Sequence, residues 1–172
     1  MEKSFYIHYK CSTCNKEHVG APSFAFNAPA YYDSLSEEDK AKSLLSADRC
    51  SVLDTDYFIR TILKIPIVGT DEPFTWGVWV SQSKENFTYY DEHFKDDLTD
   101  RKTFGWFSSL LPEYESTLGL KSDVIFSSGG LRPHINLGES EHQLSIDFHH
   151  GISMERATEI AGAIMHKAEA GT

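Results

Sequence analysis

Two stretches in the middle of the chain alternate between apolar and polar side chains. Over residues 57–68, one side of the alternation is aliphatic or aromatic, and the other side carries Arg60 and Lys64. A period of two residues is that of a half-buried β-strand. Residues 74–80 repeat the pattern, and the glycine- and proline-containing run 69–73 separates the two stretches. The pattern therefore predicts a β-hairpin with a longer loop.

Shorter stretches of the same kind predict further strands. They lie at residues 4–10, 103–111, 122–127 and 131–137. The last two are joined by the sequence SSGG, whose glycines suit a tight turn. Residues 21–33 contain two prolines and several aromatic residues, and they predict an irregular loop packed on the body of the protein.

Helical signals appear at three places. Ser36 is followed three residues later by Asp39, a variant of the capping box, and predicts a polar helix over residues 36–45. Residues 83–94 predict a short surface helix with many acidic side chains. After Ser153, apolar residues recur at helical spacing to the end of the chain. This last pattern predicts a C-terminal helix with one apolar stripe.

Together these elements predict a single α+β domain over residues 1–172. Strands in series, with only two or three helices, are typical of a mainly antiparallel sheet. The apolar stripe predicts that the C-terminal helix packs on that sheet. A chain of 172 residues suits one domain with one sizeable core, and neither an internal repeat nor a low-complexity linker divides it.

Composition and charge narrow the classes of partner. Asp and Glu total 26 against 16 Lys and Arg, which gives a formal net charge of −10. Nucleic acids and anionic membranes select clustered Lys and Arg, so we expect neither as the main partner. The sequence has neither an apolar run of membrane-spanning length nor the pattern of a signal peptide, so we expect a cytoplasmic protein.

The clearest chemical signal is a pair of cysteines near the start. Cys11 and Cys14 have C-x-x-C spacing, and His18 follows four residues later. With the remote Cys50 they form a set of the composition that holds structural zinc. The set predicts a small zinc-knuckle-like hairpin over residues 8–20. The alternative is that the cysteines are reduced and bind no metal, Cys50 being a small buried apolar residue.

A second polar cluster precedes the C-terminal helix. Its members are Glu139, Glu141, His142, Asp147, His149 and His150. As a metal or acid–base site the cluster would support a hydrolase. If residues 143–149 are extended, however, Asp147 and His149 share one face and the other histidines tend to the opposite face. We therefore expect a polar strand end and turn. His142 or a water also remains an alternative to His18 as the fourth zinc ligand.

Acidic and aromatic residues are interleaved between positions 85 and 100. The candidate partner-binding side chains are Glu85, Tyr89, Tyr90, Asp91, Glu92, Asp96, Asp97 and Asp100. Such a run usually forms the solvated face of a helix. The functional alternative is an acidic, aromatic surface that attracts a basic protein and speeds its association.

Six segments in a fixed order carry a resemblance to a known family. They are C-x-x-C-x-x-x-H near the start, DRCSVLDTDYFIR, WGVWVS, FGWFSSLLPEY, LRPHINL and HQLSIDFHHGIS. In this order the chain resembles the bacterial domain of unknown function numbered 2199, from residue 8 to residue 166. The family pattern has a glycine and a proline where this chain has Asn15 and Gln143. The resemblance implies a small cytoplasmic bacterial protein, with metal binding as one option and no established activity.

Three functions follow as hypotheses. The first is a non-catalytic, zinc-stabilised acidic protein that holds a basic protein partner, for example an immunity protein that neutralises a toxin enzyme. The second is a metal-assisted hydrolase that uses the region from His142 to His150. The third is a zinc-stabilised regulatory domain that binds a small ligand in an aromatic pocket near Trp76, Trp79 and Trp106. The acidic run favours the first.

Overall fold

The computed structural model describes residues 8–10, 17–19 and 21–170, with side chains for residues 21–165. The strands are β1 (His8–Lys10), β2 (Glu17–Val19), β3 (Ser23–Ala25), β4 (Leu44–Leu45), β5 (Arg49–Val52), β6 (Asp56–Ile65), β7 (Phe74–Gln82), β8 (Lys102–Trp106), β9 (Lys121–Ile125) and β10 (His134–Leu137). The helices are α1 (Ala30–Asp33), α2 (Glu37–Ala41), α3 (Lys84–Glu92), α4 (Gln143–His150) and α5 (Met154–Ala170). The predicted α+β class is confirmed.

The predicted hairpin forms the centre of the main sheet. β6 and β7 pair antiparallel from Tyr57, opposite Gln82, to Ile65, opposite Phe74. The strand order is β3-β7-β6-β10-β9-β8, and β5 with β4 extends from the first half of β6. Two neighbouring pairs are parallel, β3 with β7 and β10 with β6. The sheet is therefore mixed, with antiparallel pairs in the majority.

The far edge of the sheet turns back towards β7. Phe107, directly after β8, forms an isolated bridge with Val80, and the Trp106 amide donates a hydrogen bond to Ser81 Oγ at 2.9 Å. Gly105 permits this approach, because a Cβ atom there would lie 2.5 Å from the carbonyl oxygen of Ser81. The sheet is consequently rolled into a partly closed barrel.

The rolled sheet buries a large apolar core on one face. Alternate residues of β6 and β7, including Leu63, Trp76 and Val80, pack there with Ala157 and Ala161 of α5. The C-terminal helix therefore packs on the sheet, as the apolar stripe predicts. A smaller cluster lies on the opposite face and consists of Cys50, Val52, Phe58 and Trp79.

The described residues form five helices, where the sequence predicts two or three. α1 and β3 both lie within residues 21–33, the stretch predicted to be irregular. The helix predicted over 36–45 ends at Ala41, because the chain then turns into β4. Elements of two to five residues are too short for a periodic pattern to reveal them. No helix within the described ranges has both the length and the apolar character needed to cross a membrane.

The largest difference from the sequence prediction is α4, which occupies the segment predicted as a strand end. Leu144, Ile146 and Phe148 alternate with polar residues, and this alternation resembles that of a strand. In the helix, Leu144 and Phe148 are one turn apart and both pack on the core, while Ile146 is exposed. His142 begins the helix by accepting a hydrogen bond from the Leu144 amide at 3.0 Å. The extended prediction for residues 143–149 is therefore wrong.

The remaining predicted elements are present with shifted ends. β9 and β10 occupy the segments predicted as strands, and the turn between them places Gly129 and Gly130 at positive φ. The strand predicted over 103–111 ends at Trp106. α3 begins after Ser83, whose side chain accepts a hydrogen bond from the Asn86 amide.

β1 and β2 form a two-stranded hairpin apart from the main sheet. β1 lies against α5. The connecting residues 11–16 lie outside the described part of the chain. The hairpin over residues 8–20 is thus present, and nothing in the described residues supports its predicted zinc-knuckle character.

Candidate ligand-binding cleft

Of the four residues in the predicted zinc set, only Cys50 has a described side chain, and the alternative fourth ligand, His142, accepts a hydrogen bond from the Leu144 amide at the start of α4. Cys11 and Cys14 lie outside the described residues, and of His18 the structure describes the backbone in β2. Among the residues with described positions, no three His, Cys, Asp or Glu side chains are arranged to hold a metal ion. The zinc set therefore stays a prediction from the sequence.

The Cys50 thiol has the surroundings of a small apolar residue. It is fully buried beside Phe58 and Trp79. This cluster lies on the sheet face opposite to the core that α5 joins, whereas β1 lies against α5. Burial, with a smaller contribution from Asp33, raises the pKa of Cys50 to about 12. The neutral thiol is therefore the stable form at physiological pH.

The polar cluster before the C-terminal helix is built around the buried carboxylate of Asp147, which is 2% exposed. This carboxylate accepts hydrogen bonds from the Tyr114 hydroxyl at 2.6 Å and from Gln143 Nε2 at 2.8 Å. Arg156 Nη1 supplies a third hydrogen bond at 2.8 Å. His149 Nε2 lies 2.7 Å from a backbone carbonyl oxygen of β10. These contacts tie α4 to α5, to β10 and to the loop that precedes β9.

The acidic run lies on α3 and in the turn after it. Its exposed members are Glu85, Tyr89, Asp91, Glu92, Asp96, Asp97 and Asp100. Tyr90 is a core residue, only 2% exposed. The Tyr89 ring is stacked on the His93 ring, and the Arg101 guanidinium lies 3.8 Å from the centroid of the Tyr89 ring. Asp91 forms an ion pair with the arginine of β5. The run therefore presents an acidic surface in which some side chains already have basic neighbours.

A cleft of about 650 Å³ lies between α1, the β5–β6 turn and the residues after β8. Its members are Ala30, Tyr31, Ser34, Thr55, Asp56, Tyr57, Phe58, Ser81, Gln82, Trp106, Phe107, Ser108, Leu110, Leu118 and Gly119. Sites for small molecules typically have volumes of about 300–1,000 Å³ and mostly apolar walls. The cleft has both properties.

Four large apolar side chains line this cleft while remaining open to solvent. Tyr31, Trp106, Leu110 and Leu118 are between 44% and 49% exposed. Phe104 contacts the Trp106 ring edge-on, with 4.8 Å between the centroids, and this contact limits the orientation of the indole. Large apolar side chains gathered in one open, concave place mark binding sites.

Most polar side chains of the cleft are already hydrogen-bonded within the protein. The hydroxyls of Ser34 and Ser108 donate to backbone carbonyl oxygens at 2.6 and 2.8 Å, and Ser81 Oγ accepts from a backbone amide. Gln82 donates to two carbonyl oxygens and accepts from a buried threonine. Among the described residues that line the cleft, Asp56 is the one that is formally charged.

The β5–β6 turn leads directly into Asp56, which lines the cleft. Asp56 Oδ2 accepts a hydrogen bond from the Thr55 hydroxyl at 2.8 Å. Within the described chain, no Lys, Arg or His forms an ion pair with Asp56. The preceding Leu53 and Asp54 have φ values of 51° and 53°, which are uncommon for residues with side chains. Backbone strain of this kind concentrates at functional sites.

A tyrosine hydroxyl holds this strained turn. Tyr57 donates to the carbonyl oxygen of Asp54 at 2.8 Å and to its Oδ1 at 2.7 Å. The hydrogen bond from Tyr57, with a further contribution from Lys84, lowers the pKa of Asp54. The same bond, with burial, raises the pKa of Tyr57. The Tyr57 hydroxyl thus holds both the backbone and the side chain of Asp54 in the turn that precedes Asp56.

The sequence singles out one member of the cleft and misses the others. Trp106, named for an aromatic pocket, lines the cleft, whereas Trp76 and Trp79 are buried in the two apolar clusters. Tyr31 lies on a helix of four residues, which has no periodic signal. Asp56 follows a turn without glycine, so the left-handed conformation of Leu53 in that turn has no signal in its residue type.

The fold and the cleft define an α+β protein with a partly closed mixed sheet and an apolar site beside it. The chain belongs to the family described as uncharacterised protein conserved in bacteria (DUF2199), whose family model matches residues 10–152. The resemblance drawn from the six sequence segments is thereby confirmed. The matched residues include all those that line the cleft. No curated protein and no solved structure matches the chain.

Proposed function

We propose that this protein binds a small molecule in the cleft beside Trp106. The observation that carries the proposal is the gathering of exposed Tyr31, Trp106, Leu110 and Leu118 around about 650 Å³ of open space. A ligand with an apolar body would remove these side chains from water, and the burial of apolar surface favours binding.

The walls of the cleft are held together before any ligand binds. The Ala30 amide at the start of α1 donates a hydrogen bond to the carbonyl oxygen of Ser108 at 2.9 Å. The Ser108 amide in turn donates to the carbonyl oxygen of Trp79 in β7, at 2.8 Å. α1 is thus tied to the wall that follows β8, and this wall is tied to the sheet. A preformed site loses less conformational entropy on binding, which favours affinity.

Ligand-observed NMR tests the proposal directly. A mixture of small aromatic and aliphatic compounds is presented to the wild type, to Trp106→Ala and to the control Leu131→Ala, which removes an exposed apolar side chain outside the cleft. We expect compounds that bind the wild type and Leu131→Ala but not Trp106→Ala. Absence of binding to the wild type, or equal binding to all three folded proteins, would contradict the proposal.

A second candidate function is the capture of a basic protein by the acidic surface of α3. Its support is the exposure of seven of the eight side chains proposed from the sequence, in a chain with a net charge of −10. Exposed charges of one sign accelerate the approach of an oppositely charged partner. Immunity to a toxin enzyme is one form that this function could take.

Charge reversal at this surface tests the second candidate. Glu92→Lys with Asp96→Lys reverses two exposed acids there, and Glu139→Lys with Glu141→Lys makes the same change elsewhere on the surface. Immobilised proteins are used to capture partners from the source cells at low and high salt. We expect the wild type and the Glu139/Glu141 control to capture one partner that the Glu92/Asp96 variant does not capture. Salt above about 0.15 M should release this partner. Equal capture by all three proteins, or none, would refute this candidate.

A further inference from the structure

We infer that the ligand of the cleft carries a cationic nitrogen on an apolar or aromatic body, and that Asp56 selects this charge. The inference rests on the proposed function, because it names the chemical class of molecule that the same cleft would take. The charged groups that line the cleft determine which ligand charge it prefers.

The charge that lines the cleft is negative. Of the described residues that line it, Asp56 is the one with a charge, and no Lys, Arg or His is among the others. Lys84 is the base that approaches the neighbouring turn, and it lies 3.8 Å from Asp54 Oδ2, with its ammonium over the Tyr57 ring. It is thus paired with another carboxylate. A cleft with one carboxylate and no base favours a cation and disfavours an anion.

Asp56 also has capacity to bind. One of its oxygens accepts the hydrogen bond from Thr55, and a carboxylate offers about four acceptor positions on two oxygens. The serines and the glutamine of the cleft already have protein partners. Asp56 is therefore the side chain best able to accept a charge-assisted hydrogen bond from a ligand.

The aromatic walls favour the same class of ligand. Tyr31 and Trp106 are both exposed to the cleft, and the faces of tyrosine and tryptophan rings attract cations. Their rings equally cover an aromatic or aliphatic body. An acidic side chain and aromatic faces in one apolar cleft are the combination that holds an organic ammonium or guanidinium group. A phosphate or carboxylate ligand finds no complementary charge among the cleft residues that the structure describes.

Three probes of one shape and different charge test the inference. Phenylbutylamine is a cation at neutral pH, phenylbutanol is neutral, and phenylbutyrate is an anion. Dissociation constants are measured by isothermal titration calorimetry with the wild type, with Asp56→Asn and with Asp71→Asn. Asp71 is an exposed aspartate in the loop at the opposite end of the β6–β7 hairpin, so its substitution makes the same change in net charge away from the cleft.

We expect the wild type to bind the amine about tenfold more tightly than the alcohol, which is the scale of one charge-assisted hydrogen bond. The anion should bind most weakly. In Asp56→Asn, the affinity for the amine should fall to that for the alcohol, and the affinity for the alcohol should stay unchanged. Asp71→Asn should behave as the wild type.

The other outcomes distinguish a failure of the inferred charge preference from a failure of the proposed ligand site. Equal binding of all three probes would overturn the inferred charge preference and leave the cleft as a ligand site. An amine preference that survives in Asp56→Asn, or that Asp71→Asn also loses, would overturn the role of Asp56. No binding of any probe, together with a dimer that Trp106→Ala dissociates in size-exclusion chromatography, would show that a second copy fills the cleft and would overturn both proposals.

Discussion

Two tyrosine hydroxyls allow a sharp test of the packing described above. The Tyr114 hydroxyl donates a 2.6 Å hydrogen bond to Asp147, which is buried. The Tyr90 hydroxyl is buried with no hydrogen-bond partner among the described residues. Tyr114→Phe and Tyr90→Phe each remove one oxygen atom and keep the ring. We expect the two substitutions to change the free energy of unfolding in opposite directions.

The magnitudes follow from the surroundings of each oxygen. In Tyr114→Phe, the carboxylate of Asp147 keeps Gln143 and Arg156 on Oδ1 and loses the partner of Oδ2. Hydrogen bonds to charged groups contribute about 1.5–3 kcal/mol, so we expect a loss of about 2 kcal/mol. In Tyr90→Phe, a hydroxyl that is buried without a partner is replaced by hydrogen, and we expect a gain of up to about 1 kcal/mol.

Urea unfolding followed by circular dichroism measures both changes. For a chain of this length, 1 kcal/mol corresponds to about 2–4 °C in Tm, so thermal unfolding gives an independent reading. Burial raises the pKa of Tyr90 to about 12, and burial with the Asp147 hydrogen bond raises the pKa of Tyr114. Both hydroxyls therefore stay protonated at neutral pH. Equal destabilisation by the two substitutions would refute the assignment of partners.

Three further predictions concern single positions. Burial and the nearby Lys64 lower the pKa of His134, so the wild type should lose stability as the pH falls through the unfolded pKa of about 6.5. The free energy of unfolding should therefore decrease less between pH about 8 and pH about 5.5 in His134→Gln than in the wild type, and an equal decrease would contradict this. Cys50→Ala should cost about 1 kcal/mol, and because Cys50 is buried among apolar side chains we expect its zinc content in elemental analysis to equal that of the wild type. A lower content would support Cys50 as the zinc ligand that the sequence predicts. Gly105→Ala should lower Tm, because the new Cβ would overlap the Ser81 carbonyl oxygen, and an unchanged Tm would refute this close approach.

The parts of the fold that the sequence predicts are those governed by long regular patterns. β6 and β7 extend over many residues with one face in the core, so a period of two is visible. α5 likewise repeats its apolar stripe over several turns. α4 is different, because Leu144, Ile146 and Phe148 alternate as they would in a strand. A segment of eight residues is too short for the strand period and the helix period to be told apart. The His142 cap and the packing of Leu144 and Phe148 on the core both favour the helix.

The cleft depends on contacts that no local pattern encodes. Tyr31, Asp56 and Trp106 are far apart in the sequence, and they meet because the end of β8 turns back to β7 and α1 is tied to the same wall. The sequence does predict an aromatic pocket near Trp106, because aromatic residues are frequent in that part of the chain. The acidic run is easier to predict, because its charges lie within one helix and the turn after it. Even there, burial separates Tyr90 from its exposed neighbours, and this depends on packing against the sheet.

An NMR titration of the labelled wild type with phenylbutylamine tests the central claim most directly, because it shows where the ligand binds. The account predicts that the shifted resonances belong to the cleft: the Trp106 indole N–H and the backbone amides of Ser34, Leu118 and Gly119. The amides of α3, including those of Glu85 and Glu92, should stay in place. Shifts centred on α3, with the cleft resonances unmoved, would show that the amine binds the acidic surface and would contradict the account.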